Sequence, residues 1–182
     1  MTAGFVRAAR ATDAAELARI QVASWRATLA GLVPDEVLSE LTSPASEQQW
    51  AERWREAIIK PPTGRHRVHV AYSPEDSGVA GFASAGPGTD PDLWPRTDGE
   101  LYELHVQPEL AGLGHGGRLL HAVADTLASD GFHTASTWAL SADERRLDFL
   151  ESAGWAPDGS QSNLDMGVKV HVIRLQTRLS EA

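Results

Sequence analysis

The amino-acid sequence predicts an α/β (α+β) fold with one mixed β-sheet between helical layers, a three-layer α/β/α arrangement. Three observations carry this. The order of elements is a strand, then helices, then alternating strands and helices, which is the pattern of helices packed around a single sheet. The stretch Glu100 to Leu120 passes from a strand composition through a glycine-rich loop into an amphipathic helix. At 182 residues the chain has the length of one domain, 1–182, with one sizeable core.

Taken in order, Phe5 to Ala9 reads as a first strand. Thr12 or Asp13 then caps a helix whose apolar side is Ala15, Leu17, Ala18, Ile20 and Val22, ended by Gly31 and Pro34. Asp35 to Leu41 is a short second helix. Glu47 to Ile59 is a third, with Trp50, Trp54 and Ile58 at four-residue spacing as a core stripe. Arg67 to Tyr72 and Val79 to Ala85 read as a hairpin around the turn Ser73 to Gly78. The loop Gly86 to Gly99 carries three prolines and Trp94, a length that in compact domains often marks a lid or binding loop.

Glu100 to Val106 is the central strand. Leu119, Leu120, Val123, Ala124 and Leu127 then recur at helical spacing, so a helix opens at Gly116 or Gly117 and runs to about Asp130. Thr134 to Ala139 is a strand, Asp143 to Ala153 a helix, and Ala156 to Gly167 a polar, turn-rich stretch. Val168 to Leu175 alternates as a half-buried closing strand.

Composition excludes several classes. With 16 basic and 25 acidic residues the formal charge is -9, which argues against a nucleic-acid partner. No cysteine is present, so disulfides, thiolate metal sites and a cysteine nucleophile are absent and a cytoplasmic protein is the expectation. No apolar run approaches the roughly 20 residues that span a bilayer, so no membrane partner is expected. His66, His69, His121, His133 and His171 lack metal-ligand spacing, and no metal is expected. No G-x-S-x-G elbow supports a serine hydrolase.

Strand, glycine loop and helix together form an anion cradle. The first-turn N–H groups of a helix have no intrahelical acceptor, and glycines let a phosphate approach them. Gly112, Gly114 and Gly117 match the G-x-G-x-x-G spacing of dinucleotide folds. Against that reading, five residues including Pro108 separate Val106 from Gly112, and the next strand ends in Trp138-Ala139-Leu140 without an acidic residue.

The run L-Y-E-L-H-V-Q-P-E-L-A-G-L-G-H-G-G-R-L-L resembles motif A of the GNAT acetyltransferases, a strand followed by Q/R-x-x-G-x-G/A at a helix start. Ala111, Gly112, Leu113, Gly114, His115 and Gly116 stand at those six positions. Asp143, Arg146, Phe149, Leu150, Glu151, Gly154 and Trp155 resemble motif B, N-x-x-A-x-x-F-Y-E-x-x-G-F/W. The segment S-W-R-A-T-L-A-G-L-V-P with Gln49-Trp50 and Arg53-Trp54-Arg55 is similar to the first two helices of a bacterial subgroup.

This resemblance implies a GNAT-type sheet that splays at the strand before the glycine loop, and acetyl-CoA as co-substrate. Leu104, His105 and Val106 would meet its pantetheine arm, and Gly112, Leu113, Gly114, His115, Gly116 and Gly117 its pyrophosphate, with Arg118 the nearest cation. The implied reaction is direct acetyl transfer to a small-molecule or peptide amine, which needs a base to deprotonate the ammonium. Glu100 occupies a position where some members keep a catalytic glutamate. His105 is an alternative base with a suitable unperturbed pKa; it shares with Glu103 the strand parity opposite to Glu100 unless a bulge re-aims one of them.

Three departures from the patterns stand out. Leu150 replaces the tyrosine that protonates the departing thiolate, Asp143 replaces an asparagine near the pantetheine amides, and Ala111 replaces Q/R. Water, Tyr102 or Ser141 are substitutes for the acid. The alternative is a catalytically weak or inactive acyl-CoA-binding or regulatory protein on the same scaffold. Trp25, Trp94 and Trp138 are candidate walls of an acceptor pocket. A homodimer is an assembly common in that family.

Overall fold

The computed structural model describes residues 4–73 and 78–179. The turn expected between Ser73 and Gly78 falls, for residues 74–77, outside them. Seven strands form one sheet in the order β1-β2-β3-β4-β5-β7-β6. They are β1 (Phe5–Ala8), β2 (Arg67–Ser73), β3 (Gly78–Pro87), β4 (Asp98–Val106), β5 (Thr134–Leu140), β6 (Ala156–Asp165) and β7 (Lys169–Arg178). Five α-helices stand among the described residues: α1 (Ala14–Leu29), α2 (Asp35–Leu41), α3 (Pro44–Ile59), α4 (His115–Ser129) and α5 (Glu144–Ser152). The expected mixed, three-layer architecture is the one present.

Each face of the sheet has its own core. Leu17, Ala18 and Ile20 of α1 pack with Trp54 of α3 against Val70, Val79 and Phe82. Leu119, Leu120, Val123 and Leu127 of α4 pack with Leu150 of α5 against Ala83, Ala85, Leu101, Leu104 and Ala135 on the other face. The Trp50, Trp54, Ile58 stripe of α3 does lie on its core side, and Trp54 closes the contact with a hydrogen bond from Nε1 to Gln21 Oε1 at 2.8 Å.

The starts of α3 and α4 differ from expectation for local reasons. Helix α4 begins at His115 rather than at Gly116 or Gly117, because Gly114 takes a left-handed φ of 83° and serves as its N-cap. Helix α3 begins at Pro44, where proline suits the first turn and the Ser43 hydroxyl accepts from Ser46 N.

A larger correction concerns Ala156 to Gly167. Residues Ala156–Asp165 form a strand, β6, at the sheet edge, antiparallel to β7. It is almost wholly exposed and its register shifts between Pro157 and Gln161. An edge strand with no buried face needs no apolar alternation, so its polar composition carried no strand signal.

Strand β4 positions the site. It pairs antiparallel with β3, but its register shifts between Ser84 and Ala85, so that Glu103 faces Ser84, Leu101 faces Ala85 and Tyr102 is the extra residue of a bulge. On its other side β4 pairs parallel with β5 only at Asp98, Gly99 and Glu100. Beyond Glu100 the two strands part, and the Thr137 hydroxyl reaches across to the Leu101 carbonyl at 2.9 Å.

Candidate active site

The bulge changes which side chains share a face. Leu101 and Leu104, three residues apart, both enter the core beneath α4. The polar residues Glu100, Glu103 and His105 therefore all face the α1 side, despite the opposite parity of Glu100 in an unbroken strand.

His105 is buried, its ring tilted against Phe82 at 5.3 Å between ring centroids and edge-on to Trp25 at 6.5 Å. Its Nε2 lies 2.6 Å from Glu103 Oε2 and its Nδ1 3.0 Å from the Ser24 hydroxyl of α1. A carboxylate only accepts hydrogen bonds. Nε2 therefore carries the proton toward Glu103, and Nδ1 accepts from Ser24.

Glu100 is only 7% exposed, and one of its oxygens accepts from both the amide and the hydroxyl of Thr89, at 2.8 and 2.6 Å. Burial pushes its carboxyl above the ordinary range while the two Thr89 bonds oppose the shift. Tyr102 donates to the Pro87 carbonyl at 2.6 Å and stacks on His66, and burial, helped by the charge of Glu100, pushes its phenol up.

Two cavities meet where β4 and β5 part. The smaller, about 320 Å³, is walled by Trp25, Leu41, Tyr102, Glu103, His105, Trp138 and Met166 among others. The larger, about 630 Å³, lies over the glycine loop, with Val106, Ala111, Gly112, Gly114, Gly116, Gly117, Arg145 and Phe149 in its lining. Ser24, Thr28, Leu104, Asp143 and Arg146 border both. Both volumes fall in the range of small-molecule sites.

The larger cavity suits an anion. Gly112 and Gly114 both have φ of 83°, which folds the loop back onto the start of α4, and the first amides of that helix face outward without helical acceptors. A Cβ added at Gly116 would sit 3.4 Å from the Phe149 ring, so glycine also keeps this wall open. The cations in its lining are Arg145 and Arg146; Arg118 instead donates to His115 Nδ1 at 2.9 Å.

Other candidates are placed differently. The His115 ring is buried and the Leu113 side chain exposed, and neither is in the cavity wall. Asp143 caps α5, accepting from Arg146 N at 3.0 Å. Leu150 is fully buried in the core. Trp25 and Trp138 line the smaller cavity, whereas Trp94 is an exposed loop residue. Ser141 donates to the His171 carbonyl. Among the described residues no three His, Asp or Glu converge as metal ligands.

Sequence reasoning passed over Ser24, Thr28, Arg145 and the role of Arg146. Ser24 and Thr28 are one turn apart on α1, and that spacing was the available signal. At Arg146 the signal was an arginine where the motif B pattern has alanine. Its Nη1 crosses the splay to the Leu104 carbonyl at 2.8 Å.

With this geometry in hand, comparison with known proteins gives a consistent class. Residues 35–155 match the Acetyltransferase (GNAT) family. The chain belongs to that family. It is 30% identical over 135 residues to the uncharacterized N-acetyltransferase YuaI of Bacillus subtilis, covering 74% of this chain and 70% of that one. The fold is similar to PaiA N-acetyltransferase of Thermoplasma acidophilum in complex with coenzyme A, with a TM-score of 0.70 and 16% identity over 97% of this chain and 99% of that one. It is also similar to yncA of Salmonella typhimurium with its cofactor acetyl-CoA, with a TM-score of 0.71 and 19% identity over 100% and 96% of the two chains.

Proposed function

We propose that this chain moves an acetyl group from acetyl-CoA to a primary amine by direct attack. The observation that carries this reading is the meeting of two cavities at the parting of β4 and β5, one over an anion-binding helix start and one with apolar walls. Acetyl-CoA would lie in the larger, its pyrophosphate toward Gly112, Gly114 and the first turn of α4 and its pantetheine arm along Leu104 to Val106. The amine would enter the smaller. Trp25, Trp138, Leu41 and Met166 suit an apolar body, on a small molecule or a peptide end, and Glu103 suits its ammonium.

The proton path runs through α1. The ammonium loses its first proton to solvent, and the neutral nitrogen attacks the thioester carbon. The proton that remains in excess passes to the Ser24 hydroxyl, whose own proton moves to His105 Nδ1. Glu103 holds the resulting imidazolium through Nε2. Glu100, occupied by Thr89 and outside both cavity linings, is the less favourable base.

Calorimetric titration with acetyl-CoA, followed by turnover with apolar primary amines, tests the reading. We expect micromolar binding, roughly -8 kcal/mol, and a loss of about 10²–10⁴ in kcat for His105→Gln with binding retained. Binding without turnover by any amine would favour the second reading, an acyl-CoA-binding protein without transferase activity, for which the apolar, buried Leu150 is the supporting observation.

A further inference from the structure

Acetyl transfer leaves a thiolate, and something must meet the charge that builds on sulfur. Five residues border both cavities, and of Ser24, Thr28, Leu104, Asp143 and Arg146 the arginine alone carries positive charge. Leu150 has no proton to give and is sealed in the core. Arg146 stands one turn before Leu150, on the same side of α5, and its side chain leans toward the helix N-terminus and the parted strands.

Its position is held by the fold. Nη1 donates to the Leu104 carbonyl, in the part of β4 that has lost pairing with β5. The guanidinium has five N–H donors in a rigid fork, so donors beyond that one remain to border the cavities. Burial pulls the guanidinium's pKa down, and the neighbouring charges of Asp143 and Glu103 oppose that shift in part.

Resting on the acetyl-transfer reading above, we infer that Arg146 is a catalytic residue of this chain, which stabilises the departing CoA thiolate by charge and hydrogen bonding instead of donating a proton to it. The amine nitrogen forms the C–N bond, the C–S bond breaks, and its electron pair stays on sulfur beside the guanidinium. The amine's proton leaves through Ser24 to His105. A guanidinium is a far weaker acid than an ordinary thiol, which sits near about 8.5, so the arginine keeps its proton and CoA departs as the anion. Solvent then protonates it, and nothing is oxidised or reduced. Such preorganised charge acts where water is partly excluded and needs no reorganisation during the reaction.

The experiment follows thiol release from acetyl-CoA with phenethylamine as acceptor, in a chain without cysteine, so that CoA is the sole thiol read. Wild type is compared with R146A, with R146K, and with R146A plus added ethylguanidinium. We expect R146A to lose about 10²–10³-fold in kcat while calorimetric affinity for acetyl-CoA stays within a few-fold. R146K should recover part of the loss, and ethylguanidinium should restore R146A in a saturable way. Melting curves establish that each variant is folded, and should R146A fail to fold, the rate of R146K against wild type decides, with an unchanged rate overturning the inference.

Unchanged kcat in R146A, a rise in KM alone, or no response to ethylguanidinium overturns the inference and leaves acetyl transfer standing. Absence of acetyl-CoA binding, or of any thiol release by wild type, overturns the acetyl-transfer reading and this inference with it.

Discussion

Glu100 and His105 lie five residues apart on one strand, and their surroundings give them different chemistry. Glu100 is enclosed and already bonded to Thr89, while His105 is linked through Ser24 to both cavities. A carboxyl whose folded-state pKa is raised favours its neutral form in the fold. Its contribution to stability is full below the unfolded value and is lost as pH rises through the folded one. Glu100→Gln imitates the neutral acid and keeps an oxygen for Thr89. The variant should therefore melt higher than wild type at about pH 8, with the gap closing toward about pH 4. Thermal melts across that range check this. A falling gap on going to higher pH would show that Glu100 is ionised at little cost in the fold. Turnover of the same variant distinguishes the two candidate bases, since a loss comparable to that of His105→Gln would return the role to Glu100.

At the scale of elements, the loop between β3 and β4 has the length of a lid, yet it is tied down along its course. Arg174 of β7, only 5% exposed, binds Asp90 and Asp92 of the loop and Asp158 of β6, and Asp90 also accepts from Trp138 Nε1. Arg65 adds bonds to the Pro95 and Arg96 carbonyls. Arg174→Ala leaves the half-buried Asp90 and Asp158 without their cation, at a cost on the order of 3 kcal/mol; the exposed Asp92 adds little. Denaturant unfolding should report that loss, and amide exchange at residues 88–97 should accelerate with it. Exchange that stays slow would mean the loop is held chiefly by Arg65 and Trp138.

The glycine loop carries a prediction of the same rank. Gly114 has a left-handed φ and caps α4, so Gly114→Ala should cost about 1–2 kcal/mol. The displaced first turn should weaken acetyl-CoA binding in calorimetry as well. Retained affinity would move the pyrophosphate away from this helix start.

For the whole molecule, the two core layers hold the sheet from both faces, while the parting of β4 and β5 leaves a cleft that is incompletely packed. A ligand that fills it binds the folded chain alone and must raise the melting temperature. At acetyl-CoA about 100 times its Kd the gain is about 2.7 kcal/mol, or roughly 5–10 °C for a chain of this size. Gly114→Ala should shrink that shift, and an equal shift in both proteins would place the ligand elsewhere.

Much of this arrangement was legible in local chemistry. Amphipathic spacing located α1, α3 and α4, the glycines at 112 and 114 marked the turn into α4, and the run through Leu150 to Trp155 carried the family's spacing. These signals survive in one dimension because propensity, periodicity and backbone sterics act over a few residues. Strand β6 left no such trace, since an exposed edge is held by backbone pairing with β7 rather than by buried side chains. The site was less legible still. The bulge at Tyr102 brings Glu103 and His105 to the face of Glu100, and Ser24 meets His105 across 81 positions. Arg146 finds the Leu104 carbonyl across 42. The sequence by itself determined the elements, the family and the glycine cradle. Only the tertiary structure decided which polar groups meet in the cleft, because that depends on register, on one extra residue in a strand, and on contacts between elements far apart in the chain.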